Sequence, residues 1–204
     1  MADAGRVIAG TAKGVRLAAP GPGTRPLADR VKQTLFAVLE PDLEGAVVLD
    51  LFAGSGAGGI EALSRGAARA TFVDKDGGAA RVLAENLRRT RLDGVGRVVR
   101  RDAVAWLTDP AGAAADGPFD IVLVDPPYAD VEALVRALEL VGTHTAAQGV
   151  VVAKHFWKDA PPPVVGLLAS ARERRFGETA LTFYRRRSPA GPGPAPGDEE
   201  ASET

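Results

Sequence analysis

Four aspartates close four successive apolar runs: Asp50 ends AVVLD, Asp74 ends ARATFVD, Asp102 ends GRVVRRD and Asp125 ends FDIVLVD. A carboxylate is costly to bury, so its repetition at the same place in four runs points to one shared polar site. Between the first two runs lies AGSGAGG, where Gly54, Gly56 and Gly59 fall in the G-x-G-x-x-G spacing. The fourth run continues as Asp125-Pro126-Pro127-Tyr128, a charge, a double backbone lock and an aromatic ring at the end of a core strand.

Taken literally, the glycine spacing followed by Asp74 about twenty residues later is a dinucleotide fingerprint, and NAD is the first candidate ligand. Asp50 argues otherwise. A carboxylate directly before the loop repels a pyrophosphate and favours a cationic ligand. The amino-acid end of S-adenosyl-L-methionine carries an ammonium and a sulfonium. The glycines would let backbone N–H groups approach such a ligand closely. Asp74 could accept both hydrogen bonds of a ribose diol, and Asp102 with the backbone of Ala103 could meet the exocyclic amine of adenine. Read blandly, Asp50 and Asp102 are strand-end caps.

Methyl transfer from a sulfonium to an aromatic exocyclic amine has a specific difficulty. The nitrogen lone pair is delocalised into the ring, so the amine is planar and a poor nucleophile. A carboxylate and a carbonyl that both accept from the NH₂ draw the nitrogen toward tetrahedral geometry and aim its lone pair at the methyl group. Asp125 and the main-chain carbonyl of Pro126 supply that pair of acceptors. Pro126 and Pro127 fix φ near about −65° and hold the acceptors in place. Tyr128 offers a face for an extruded base, and Asp125 stabilises the positive charge that develops on nitrogen. The plain alternative is a D-P-P turn with Tyr128 as a packing residue.

These residues need a scaffold that brings strand ends together. RVIAGTAKGVRLAAP alternates short apolar runs around Lys13-Gly14 and predicts a β-hairpin. Asp29 is a candidate N-cap for a helix whose Val31, Leu35, Val38 and Leu39 fall at helical spacing. From Ala46 strand and helix patterns alternate, and the last stretch, ARERRFGETALTFYRR, reads as two strands joined at Gly177-Glu178. This is an α/β domain with a mostly parallel sheet, helices on both faces and ligands beyond the carboxyl ends of its strands.

Composition sets the outer bounds. The 204 residues are 46% apolar and 25% charged, as expected for one globular domain. No run reaches the ~18 apolar residues of a membrane span, and MADAGRVIAG lacks the layout of a signal peptide, so a cytoplasmic enzyme is expected. There is no cysteine, and His144 and His155, the two histidines, show no ligand spacing, so no metal is expected. The net charge of −1 hides an asymmetry, because residues 188–204 hold four acids and no base. That Pro/Gly-rich, acidic stretch reads as disordered. The body carries clustered arginines at 97, 100 and 101, at 172, 174 and 175, and at 185 to 187, either a solvated surface or one that faces RNA. Trp106 and Trp157 are expected to pack, and Glu61 is expected on the surface of the helix after the glycine loop.

VLDLFAGSGAGGIEALSRGA together with DPPY resembles the class I S-adenosylmethionine-dependent amino-methyltransferases. RVIAGTAKGVRL, TRPLADRVKQTLFAVL and RFGETALTFYRR narrow the resemblance to the bacterial 16S rRNA (guanine-N2)-methyltransferase family of the RsmD type, over about residues 6–187. The resemblance implies a Rossmann-like fold with a seven-stranded, mostly parallel sheet and an N-terminal β-hairpin extension. It divides the chain into an extension (1–28), a methyltransferase domain (29–187) and a tail (188–204). It also implies transfer from S-adenosyl-L-methionine to one guanine of small-subunit rRNA, in a 30S particle already carrying proteins. A monomer is expected. By position, Asp50, Phe52, Gly54, Ser55 and Gly56 would line the methionine end of the cofactor. Asp74 and Lys75 would lie at the ribose, and Asp102 and Ala103 at the adenine. Asp125, Pro126, Pro127 and Tyr128 would form the amine site, with Arg25 and Arg30 at its entrance. Two other readings stay open: a DNA adenine-N6 or cytosine-N4 methylase, and an NAD-binding oxidoreductase. The first usually needs a sizeable target-recognition region, and only about 45 residues precede the first strand of the alternating pattern.

Overall fold

The computed structural model describes residues 3–21, 28–109 and 111–187, so Arg25 and the acidic tail lie outside the described residues. The chain begins with the expected antiparallel hairpin, β1 (Asp3–Arg6) and β2 (Arg16–Ala18). Helix α1 (Asp29–Leu43) follows and buries Val31, Leu35, Phe36 and Leu39 along one stripe. Asp29 does not cap it. The helix begins at Asp29 itself, and the carboxylate pairs with Arg6 of the hairpin at 3.3 Å.

Strand and helix then alternate: β3 (Val47–Leu51), α2 (Ala57–Ser64), β4 (Arg69–Asp74), α3 (Gly77–Thr90) and β5 (Gly96–Arg100). Two short helices, α4 (Ala103–Leu107) and α5 (Ala113–Asp116), lead to β6 (Phe119–Val124), α6 (Val131–Val141) and β7 (Thr145–Phe156). A two-residue strand, β8 (Val164–Val165), precedes β9 (Leu168–Phe176) and β10 (Thr179–Arg186), which meet at Gly177-Glu178 as the sequence indicates. The sheet order is β5-β4-β3-β6-β7-β10-β9-β8. Strands β3 to β7 are parallel, and β10 inserts antiparallel between β7 and β9. The seven long strands are those expected; β8 extends the edge by two residues.

The chain reverses its direction of growth between β3 and β6, so the ends of those two strands flank the topological switch point. Helices α1, α2 and α3 and the hairpin cover one face of the sheet, with Phe36, Leu39, Ile60, Leu83 and Leu17 packed on Val48, Phe72, Leu123 and Val152. Helices α4, α5 and α6 cover the other, with Trp106, Leu134 and Leu138 packed on Val122, Val151 and Tyr184.

The hairpin is anchored by buried polar groups. Glu61 is fully buried, not on the surface as its place in α2 suggested. Its two carboxylate oxygens accept from the N–H groups of Ile8 (2.7 Å) and Ala9 (3.0 Å), and Arg65 donates to it at 2.8 Å. Lys32, also fully buried, donates from Nζ to the carbonyl of Arg6 at 2.6 Å. Burial holds that ammonium below its usual range of titration despite the opposing pull of Glu61 and Asp29. A sequence pattern sees neither partner, because both contacts are made across tertiary structure.

Candidate active site

The strand ends at the switch point border a cavity of about 790 Å³. Phe52, Gly54, Ser55 and Gly58 form one wall, Asp74, Lys75, Asp102 and Ala103 another, and Asp125, Pro126, Pro127 and Tyr128 a third. Asp50 lies at its floor, with 4% of its surface exposed. The cavity therefore joins all but three of the residues picked from the sequence. Gly56 is not in its lining, Arg30 is exposed in the first turn of α1 outside it, and Arg25 is outside the described residues.

The loop after β3 is held by the carboxylates around it. Phe52 takes a left-handed backbone with φ 60°, rare for a residue with a side chain, and Gly54 and Gly56 follow at 53° and 76°. The N–H of Gly54 donates to Asp74 Oδ2 at 2.8 Å, and the N–H of Gly56 to the carbonyl of Ala53 at 2.7 Å. These two donors are consumed inside the loop. What these two glycines provide is close approach of the backbone, not free N–H groups of their own. Gly56 serves packing behind the loop, since a Cβ there would lie 2.1 Å from Leu83. Gly59 is held against the sheet in the same way, with a Cβ meeting Phe72 at 2.3 Å.

Each strand-end acid also has a structural partner. Asp50 Oδ2 accepts from the N–H of Gly59, 2.8 Å away in the first turn of α2. Asp74 Oδ1 accepts from the N–H of Asp76 at 2.9 Å. Asp102 Oδ1 caps α4 through the N–H groups of Val104 (3.0 Å) and Ala105 (3.1 Å), while Oδ2 lies 3.9 Å from Lys75 Nζ. The bland reading of Asp50 and Asp102 as caps thus holds beside the ligand-facing one. One oxygen serves the fold, and lone pairs remain for a ligand. Burial raises the Asp50 carboxyl to about 7, and the charges of Asp125 and Asp74 add to the rise. The Gly59 hydrogen bond and Lys154 oppose it.

Asp125 is one residue past the end of β6. Lys154 Nζ donates to both of its carboxylate oxygens, at 2.6 and 2.7 Å. The same ammonium lies 5.3 Å from the centre of the Tyr128 ring, whose hydroxyl is 2.7 Å from Thr179 Oγ1. The carbonyl of Pro127 closes a turn with the N–H of Asp130 at 2.8 Å. Among the described residues the carbonyl of Pro126 accepts no hydrogen bond, which leaves it open as an acceptor beside Asp125.

Lys154 is the site residue that sequence reasoning missed. Lys154 and His155 are both inside β7. His155 is buried and bonded to Thr182 Oγ1 and the carbonyl of Phe156. A signal was present, since Val150, Val152 and Lys154 keep the period of two that marks one strand face. Trp106 is buried, as expected, and Trp157 is half-buried with Arg175 over its ring at 3.5 Å. Among the described residues no three acidic or histidine side chains are grouped to hold a metal ion, and no helix is long and apolar enough to cross a membrane.

The sheet order, the loop after β3 and the acids at the strand ends define a class I methyltransferase fold, and solved structures agree. The yhhF protein of Escherichia coli superposes with a TM-score of 0.75 at 35% identity, over 90% of this chain and 98% of that one. A hypothetical protein of Thermus thermophilus superposes at 0.74 with 36% identity, over 88% and 98%. The family model described as Conserved hypothetical protein 95 matches residues 5–185, and the chain belongs to that family. Its relatives include Ribosomal RNA small subunit methyltransferase D of Escherichia coli, 38% identical over 184 residues, which is 89% of each chain. The YlbH protein of Bacillus subtilis is 38% identical over 185 residues, 89% of this chain and 99% of the relative.

Proposed function

We propose that this protein transfers a methyl group from S-adenosyl-L-methionine to the exocyclic N2 amine of one guanine in small-subunit 16S rRNA. We place it in the cytoplasm, as a monomer without a metal, acting on an assembled or partly assembled 30S particle. One observation carries the reading: a single cavity at the switch point joins the loop after β3 to Asp125-Pro126-Pro127-Tyr128. Guanine N2 and the small subunit are inferred from the family, whose Escherichia coli member is named for small-subunit rRNA.

The residues fit the cofactor. The volume of about 790 Å³ lies within the range of small-molecule sites, about 300–1,000 Å³. The donor set is rich in carboxylates, which suits a cationic amino-acid end and a ribose diol better than a pyrophosphate. When bound, the cofactor supplies an electrophilic methyl group. Asp50 holds the ammonium, Asp74 the ribose hydroxyls, and Asp102 with Ala103 the adenine edge; Phe52, Ser55 and Lys75 complete the walls. Asp125 and the Pro126 carbonyl accept from the substrate NH₂, with the oxygens of Asp125 keeping capacity for an N–H while Lys154 is bound. As positive charge builds on nitrogen, Asp125 stabilises it and takes the proton. Tyr128 stacks on the extruded base. Arg30, exposed in the first turn of α1, contacts RNA, and Arg25 is assigned the same role from the family resemblance.

The test is to incubate the protein with tritiated cofactor and small-subunit particles from a strain lacking the gene, then digest and identify the labelled nucleoside. N2-methylguanosine is the expected product. Label in adenine or cytosine would keep the amine chemistry and replace the substrate; no transfer would refute the reading.

A further inference from the structure

Strand register lays the sheet surface beside the amine site out in rows. Val124 faces Ala153 at the end of the β6–β7 ladder, so Asp125 falls next to Lys154, as their ion pair shows. Lys154 is opposite Leu181, and Leu181 is opposite Arg174. The neighbouring rows read Val152, Phe183, Arg172 on one side and Phe156, Thr179, Phe176 on the other. Directly opposed residues in a ladder point to the same face. Arg172 and Arg174 therefore stand on the face that carries Asp125 and Lys154, two strands away, or roughly 10 Å at about 4.8 Å per strand.

What sets these two charges apart from the other clustered arginines is their place in the rows beside the amine site. Arg100 ends β5 at the far edge of the sheet and Arg187 follows β10, both also exposed and without an acidic partner among the described residues. Arg97, Arg101 and Arg185 are paired with Asp116, Asp109 and Asp42. Arg186 donates to the carbonyl of Thr145. Arg175 is on the opposite face of β9 over Trp157, and Glu173, beside it, points to Thr182. Arg172 and Arg174 are exposed, and among the described residues neither has an acidic partner. A pair of unneutralised guanidiniums on the exposed surface of β9, in register with the amine site, matches a polyanion that is continuous with the base being modified.

We propose that Arg172 and Arg174 grip phosphates of the single-stranded RNA flanking the target nucleotide, so that the strand leaves the cavity toward β9. This rests on the rRNA reading above and adds the path of the strand.

The experiment measures binding of a protein-free small-subunit rRNA transcript, across a salt series, by the full chain and by Arg172→Ala/Arg174→Ala. Two lost phosphate contacts should flatten the plot of log affinity against log salt by about 1.4, at about 0.7 per single-strand phosphate. Affinity at low salt should fall on the order of tenfold. Arg172→Lys/Arg174→Lys should keep the slope, and all variants should bind S-adenosyl-L-methionine like the parent. Arg88→Ala/Arg89→Ala removes the same net charge from the far end of α3 and should leave the slope unchanged. An unchanged slope in the β9 variant overturns the proposal, even if methylation of particles falls, because the contact would then be with a ribosomal protein. An equal loss in the α3 variant overturns it too, as does a parent protein that binds no transcript. Failure of the parent reading looks different: the unaltered protein would transfer no label to rRNA.

Discussion

Lys154 Nζ sits 2.6 and 2.7 Å from the two carboxylate oxygens of Asp125, as the first lateral pair beyond the β6–β7 ladder. Asp50 and Asp125 lie at neighbouring strand ends, and this ammonium bears on both. It fixes the orientation of Asp125 and opposes the rise of the Asp50 carboxyl. Lys154 is thus assigned as a positioning residue. Lys154→Met should lower turnover at least ~10-fold by freeing the carboxylate. It should also move the pH midpoint of cofactor binding upward, since Asp50 loses a counter-charge. Lys154→Arg, which keeps a two-pronged donor, should restore most of both. A turnover loss with no movement of the cofactor pH profile would reduce Lys154 to a packing residue.

Asp125 and Asp50 should separate chemistry from binding. Asp125→Ala should leave cofactor affinity within a few fold and reduce turnover by at least ~10²-fold, as loss of a charge stabiliser does. Parallel loss of cofactor affinity, read by calorimetry, would contradict its place in the amine clamp.

Asp50 should make cofactor binding pH-dependent. Its carboxyl is raised to about 7, and an ammonium ligand needs it ionised. Affinity should therefore tighten about tenfold between pH 6 and pH 8, with proton release near neutrality. Asp50→Asn retains an oxygen for the Gly59 N–H but no charge, and should bind weakly with a flat profile. Stability runs the other way. Because the folded value lies above the ordinary one of 3.8, the contribution of the neutral carboxyl is complete below about pH 4 and is lost as pH rises through 7. The stability advantage of Asp50→Asn in the free protein should grow by about 2–4 kcal/mol from pH 4 to pH 8. Denaturant titrations at both pH values measure it.

The division between what was legible in the sequence and what was not follows the range of each interaction. Hydrophobic period and glycine spacing are local, so the alternating strands and helices, the Gly177-Glu178 hairpin and the four acids were readable. The roles of those acids in the fold were half-visible: Asp102 was recognised at a strand end, but α4, the five-residue helix it caps, is too short to show periodicity. Lys154, Glu61 and Lys32 were misread or passed over because their partners are 29, 53 and 26 residues away. Cross-strand register and buried ion pairs are set by the assembled sheet, and no single strand records them.

Glu61 supplies the sharpest stability test. Its carboxylate is the acceptor for two backbone N–H groups of the hairpin and for Arg65, whose side chain is 14% exposed. Glu61→Ala leaves those donors without their acceptor, at about 1–3 kcal/mol for each buried group. A total loss of about 3–5 kcal/mol is expected in denaturant unfolding. The hairpin should respond first, so amide exchange at Ile8 and Ala9 should accelerate far more than exchange in β3 or β6. Glu61→Gln keeps one acceptor oxygen and should recover part of the loss. Equal acceleration throughout the sheet would show that Glu61 supports the fold as a whole, not the seating of the hairpin on α2.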